Sequence, residues 1–109
     1  MIMSVVEDGL LLTFNSASSD GQVTLDKWIL TIGRREDCDI CLRNDTYISR
    51  EHAALHWRDN RWWLQDCESK NGTFVESGEE DARVSGTIPI EQGQLFRIGR
   101  TWLRIQPVD

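Results

Sequence analysis

The chain is 109 residues long, 39% of them hydrophobic, and its 18 acidic side chains outnumber 12 basic ones for a formal net charge of −6. A length of this kind suits one domain over residues 1–109, burying about two-thirds of its unfolded surface without disulfide staples. The acidic balance disfavours non-specific binding to nucleic acid, whose phosphates repel it, and no apolar run approaches the length of a membrane-spanning helix.

Alternating apolar positions predict strands over residues 10–14, 22–25, 28–32, 38–42, 53–57, 61–66, 73–75, 94–98 and 101–106, with two or three further short strands expected. No helix of length is evident, and five tryptophans favour strands, so the fold class is all-β. Residues 15–21 and 76–86 read as polar loops, neither long enough nor biased enough to be a domain linker. Three cysteines are an odd set with no scaffold spacing, and residues 1–6 lack the basic region of a signal peptide. Both point to reduced thiols in a soluble, cytoplasmic protein. In the predicted strand 38–42, Cys38, Ile40 and Leu42 share one face and Cys41 the other. The two thiols therefore cannot easily hold one ion, and Cys38 reads as a small core residue.

His52 to Trp57 and Arg61 to Asp66 are both apolar on alternate positions and flank Asp59-Asn60, a pair that tolerates positive φ. This predicts a tight hairpin with Trp57 opposite Trp62 and Leu55 opposite Leu64 on the core face, and His56 with Trp63 on the other. Since the second strand retraces the first, the loop before His52 and the loop after Asp66 must lie side by side. Ser49-Arg50-Glu51 and Ser69-Lys70-Asn71-Gly72 are thus brought to one end. Arg34 is not, because a strand over 38–42 would carry the chain to the opposite end.

Ser49 and His52 suggest a nucleophile and a base, but the spacing on an extended chain points them apart and no orienting group is present. His52 and His56 have a helical metal spacing inside a strand pattern. Neither catalysis nor a metal or cofactor is predicted.

Four ordered blocks, Thr31-Ile32-Gly33-Arg34, Cys38-Asp39-Ile40-Cys41-Leu42, Ser49-Arg50-Glu51-His52-Ala53 and Ser69-Lys70-Asn71-Gly72-Thr73-Phe74-Val75, resemble the forkhead-associated (FHA) domain in order and spacing. Gly93 to Gly99 and Leu103-Arg104-Ile105 resemble its last two strands, so the likeness covers about residues 10–106. The resemblance implies a two-sheet β-sandwich of about eleven strands whose loops at one end bind a phosphothreonine peptide. Such a domain is a monomeric, non-catalytic recruitment module in signalling, and its partner is a Thr-phosphorylated protein. The alternative is a module of the same fold that assembles with unphosphorylated protein.

A phosphate monoester carries nearly two negative charges and three acceptor oxygens, and charge-assisted hydrogen bonds to it are worth about 1.5–3 kcal/mol each. The resemblance puts Arg34 on the phosphate as a bidentate donor and Ser49 on it through its hydroxyl, with Arg50 and Lys70 contributing charge. Asn71 would bond the ligand main chain, while Arg43, Asn44 and Tyr47 form a specificity loop. With Lys70, these favour an acidic or polar ligand residue after the phosphothreonine, a preference that Asp45 and Glu68 would weaken. Gly33, His52 and Gly72 shape the loops. Two departures stand out: Glu68, where the family commonly has Gly, would repel phosphate if it pointed inward, and the acidic run from Glu76 to Asp81 reads as a lengthened, solvated turn.

Overall fold

The computed structural model describes residues 10–15, 20–24, 27–78 and 80–107. These form eleven strands: β1 (Leu10–Asn15), β2 (Asp20–Thr24), β3 (Ile29–Gly33), β4 (Ile40–Cys41), β5 (Ala53–Arg58), β6 (Arg61–Asp66), β7 (Thr73–Ser77), β8 (Glu80–Arg83), β9 (Thr87–Ile90), β10 (Leu95–Ile98) and β11 (Thr101–Pro107). They build a six-stranded sheet, β2-β1-β11-β10-β7-β8, and a five-stranded sheet, β4-β3-β5-β6-β9. No described residue is helical, so none belongs to a helix able to cross a membrane.

Alternation decides which side chains the sandwich encloses. Leu12, Phe96, Ile98, Leu103 and Ile105 from one sheet and Leu30, Ile32, Ile40, Leu55 and Leu64 from the other are almost wholly buried in one cluster. Each such aliphatic side chain contributes about 1.5–3 kcal/mol through removal from water. The β5–β6 hairpin has the register its pattern predicts, with Leu55 opposite Leu64, His56 opposite Trp63 and Trp57 opposite Trp62. Its turn residues Asp59 and Asn60 have φ of 56° and 63°, the left-handed pair whose twist matches the flanking strands.

Two sequence expectations fail here. Residues 76–86 are not a polar loop: Glu76 pairs with Asp81 and Ser77 with Glu80 in a tight β7–β8 hairpin around Gly78, and β9 follows. Glu76, Glu80 and Asp81 therefore lie on the exposed rim of a sheet and not in a lengthened turn, while Glu79 lies outside the described residues. The strand expected over 38–42 shrinks to Ile40–Cys41, which runs parallel to β3 with Ile32 beside Ile40 and Gly33 beside Cys41. The segment from residue 34 to 39 doubles back, so β3 and β4 exit at the same end. Residues 16–19 of the expected 15–21 loop and Leu25 of the expected second strand lie outside the described residues.

Candidate functional site

The loops that carry Arg34, Arg43 to Arg50 and Lys70-Asn71 all emerge at the end where β3 stops and β5 starts. Because β3 and β5 are antiparallel, Gly33 lies beside the chain that enters β5, and the two backbones are tied. Arg34 N–H donates to the Ser49 carbonyl at 3.2 Å, Arg35 N–H to the Arg50 carbonyl at 3.4 Å, and His52 N–H to the Ile32 carbonyl at 2.9 Å. A Cβ on Gly33 would fall 2.0 Å from the Arg50 carbonyl oxygen, so this contact requires glycine. The Arg34 side chain is exposed and its Nε donates to the Ile48 carbonyl. Thus Arg34 joins the other loops, contrary to the up-and-down tracing.

His52 is wholly buried and links two of these loops. Its Nδ1 accepts the Ser49 N–H at 3.0 Å and its Nε2 donates to the Gly72 carbonyl at 2.9 Å, an arrangement that needs the neutral Nε2–H tautomer. Burial holds its pKa below the ordinary 6.5, opposed by the Gly72 carbonyl and more weakly by Asp66 and Asp45. His52 bonds the Ser49 main chain, not the hydroxyl, and no nucleophile and base pair is formed. The Ser49 Oγ instead accepts the Lys70 N–H at 3.1 Å, which leaves its own proton free to donate outward.

Asp66 shapes the other loop. Its carboxylate accepts Ser69 N–H at 3.2 Å, Ser69 Oγ–H at 2.5 Å and Thr73 Oγ1–H at 2.7 Å, and Ser69 Oγ in turn accepts Gly72 N–H at 3.0 Å. Burial pushes the Asp66 carboxyl up, but the hydrogen bonds from Ser69 and Thr73 outweigh it and hold the group below the usual carboxylate range. Gly72 (φ 88°) and Glu68 (φ 55°) both take left-handed backbone in this loop. The conformation explains why glycine suits position 68 better than the exposed glutamate found there.

Sequence reasoning missed Arg100 at this end and misjudged Asp45, whose carboxylate is turned inward and bonded, not set beside the ligand to weaken an acidic preference. Asp45 is buried and accepts Tyr47 N–H at 3.0 Å, Arg100 N–H at 2.6 Å and Thr101 Oγ1–H at 2.8 Å, stapling the loop before β5 to the β10–β11 turn. An aspartate two residues before the amide it binds is a readable turn signal, which the neighbouring pattern concealed. Arg100 stacks over the Tyr47 ring at 4.1 Å and donates to its Oη at 2.6 Å. Asn71 Nδ2 donates to the Tyr47 carbonyl at 2.8 Å, so one donor of the expected ligand-binding amide is used within the protein.

Arg34, Arg50 and Lys70 thus stand exposed on three loops whose backbones are bonded together, and none makes an ion pair among the described residues. Arg35 beside them is held by Asp37 at 2.6 Å and by Glu51, and the distant Lys27 by Asp39 at 2.6 Å. Asn44 is exposed, and Arg43 is exposed and only loosely near Glu36 at 3.8 Å. Cys38, Cys41 and Cys67 are free thiols, and no cluster of metal-ligating side chains occurs among the described residues.

A two-sheet sandwich with a cationic, hydrogen-bonded loop end defines a recognition module. The FHA domain family model matches residues 30–99, and the chain belongs to the FHA domain family. It is 31% identical over 97 residues to the FHA domain-containing protein FhaB of Mycobacterium tuberculosis, covering 89% of this chain and 59% of FhaB. The chain spans about three-fifths of the length of that relative. The solved FHA domain of the CT664 protein from Chlamydia trachomatis superposes with a TM-score of 0.80 at 26% identity, over 94% of this chain and all of that one. An FHA domain structure obtained in work on phosphothreonine-dependent FHA domain interactions has a TM-score of 0.77 at 26% identity, over 93% of this chain and 98% of its own.

Proposed function

We propose that the loop end binds phosphothreonine in a partner protein and that the domain recruits that partner in signalling, with no catalytic step. The observation that carries this reading is that Arg34, Arg50 and Lys70, exposed and without carboxylate partners among the described residues, stand on loops bonded to one another through Ser49, whose hydroxyl accepts the Lys70 N–H and keeps its own proton to donate. A dianionic phosphate satisfies all of them at once. Arg34 supplies a planar fork for two phosphate oxygens, Ser49 a short hydroxyl donor, and Arg50 and Lys70 point charges. The remaining amide hydrogen and the carbonyl of Asn71 are left for the ligand main chain. Tyr47, with Arg43 and Asn44 on the same loop and Arg100 stacked on its ring, forms the region that reads neighbouring ligand residues, and its cations favour acidic ones. Three free cysteines support a reducing, cytoplasmic setting.

Calorimetry with a phosphothreonine peptide selected from a degenerate library tests the reading. Arg34→Ala should weaken binding by about a hundredfold or more, since two charge-assisted bonds of about 1.5–3 kcal/mol each are lost, and dephosphorylation of the peptide should weaken it further. Equal affinity before and after phosphatase treatment would instead leave a phosphate-independent assembly module. Phosphothreonine should also exceed phosphoserine several-fold if the extra methyl, worth about 0.8 kcal/mol, is buried.

A further inference from the structure

Beyond the loops, the solvent face of the six-stranded sheet carries a feature the phosphate reading does not use. Strand register places Arg83, Phe74, Arg97 and Trp102 in one row across β8, β7, β10 and β11. Cations and aromatics alternate along it. The Arg97 guanidinium lies 4.5 Å from the Phe74 ring and 5.8 Å from that of Trp102. The row begins at the candidate site: a Cβ on Gly72, the neighbour of Asn71, would fall 3.2 Å from Cζ and Nε of Arg83.

Arg83 is exposed, and its side chain makes no ion pair or hydrogen bond among the described residues. Arg97 is bonded through Nη1 to the Gly99 carbonyl at 3.0 Å and lies 3.9 Å from Asp81, which with Glu76 belongs to the adjacent row. That second row also holds Leu95 and Arg104. Past Trp102 the face opens into a shallow hollow of about 440 Å³ whose one charged lining residue is Arg104. The face as a whole balances Arg83, Arg97 and Arg104 against Glu76 and Asp81, but in a chain of net charge −6 the row from Arg83 to Trp102 itself carries two arginines, two aromatic rings and no carboxylate, and it starts beside the peptide loops.

We propose that this row is a second docking surface, occupied by an acidic, extended stretch of the same partner that presents the phosphothreonine. The proposal rests on the phosphate reading of the loop end. Stacked guanidinium groups keep their N–H edges for carboxylates while their faces rest on aromatic rings. Four strands about 4.8 Å apart span roughly 14 Å, the reach of about four or five extended residues.

The test compares three library-derived phosphothreonine peptides: a short core, the core extended at either end by about five residues rich in Glu, and the same extension in Ser and Gly. Titrations use the wild-type chain, Arg83→Ser, and Arg83→Ser with Trp102→Ser. The acidic extension should bind wild type about fivefold tighter than the neutral one. The gain should shrink in Arg83→Ser, vanish in the double variant and fade as salt rises. Unchanged affinity for the short core shows that both variants remain folded. Equal binding of acidic and neutral extensions by wild type overturns the docking surface while leaving the phosphate reading intact, as does a gain that survives in the double variant. A short core that binds equally well without phosphate, or not at all, overturns both.

Discussion

At the loop end, the buried Asp45 and His52 and the half-buried Asp66 bond the main chains of loops from both sheets. At the opposite end the β5–β6 turn is backed by Trp57 and Trp62, whose rings meet edge to face with centroids 5.3 Å apart and whose buried indole N–H groups find no acceptor among the described residues. One end is held by directional bonds and the other by apolar contact. Directional networks fix one geometry but fail as a unit, because each lost member strands its partners away from water. Apolar contacts are non-directional, so a lost member weakens its neighbours without stranding them. Substitutions at the loop end should therefore change stability and binding together, and those at the hairpin end should change stability alone.

The largest effect is expected from His52→Ala, which leaves Ser49 N–H and the Gly72 carbonyl unpaired and opens a cavity. Urea denaturation should show a loss of about 3–5 kcal/mol, and the phosphopeptide affinity should fall with it. A loss under about 1 kcal/mol would break the contrast. The same side chain gives a pH signature. Because burial depresses its folded-state pKa below 6.5, its contribution is complete above that value and is lost as the pH falls through the folded-state pKa, since the unfolded chain then binds a proton that the folded chain resists. Stability measured from pH 8 downward should decline below about pH 6.5, and His52→Gln should flatten that part of the curve.

Trp62→Phe tests the hairpin end. Some packing is lost, but an unpaired N–H is removed as well, so the net cost should stay within about 1.5 kcal/mol with phosphopeptide affinity unchanged. A tenfold fall in affinity would mean that the two ends are coupled.

Glu68→Gly relieves left-handed backbone and removes an acid close to Lys70, so it should stabilise the domain by up to about 1 kcal/mol and tighten phosphopeptide binding about twofold. Asn60→Gly, in the other left-handed site, should add only a few tenths of a kcal/mol, because asparagine already tolerates that conformation, and should leave binding untouched. Paired melting curves and titrations distinguish the two.

What the sequence shows and hides follows the same physics. The β5–β6 register and the meeting of its flanking loops were legible because a two-residue turn fixes both locally. The place of Arg34 was not, since alternation does not reveal strand direction and β4 runs parallel to β3. β8 escaped notice because all four of its residues are exposed, so an edge strand paired only to β7 displays no apolar period. β9 holds Pro89, which it can accommodate because it is an edge strand, where a missing N–H need cost no ladder bond. That Arg34 meets the loops of Ser49, Arg50, Lys70 and Asn71 was implied by the family likeness alone, whereas Asp45 and Arg100 bond across 53 to 56 residues of sequence, which no local pattern displays.

The close approach at Gly33 also bears on the kinetics of recognition. With the chain at Arg34 and Arg35 latched to Ser49 and Arg50 before any ligand arrives, the backbone ordering cost of about 1–2 kcal/mol per residue is met during folding and not at the encounter. Complexes formed on such a preformed surface assemble at similar rates and differ in how long they last. Ligands of unequal affinity should therefore be told apart by their residence times.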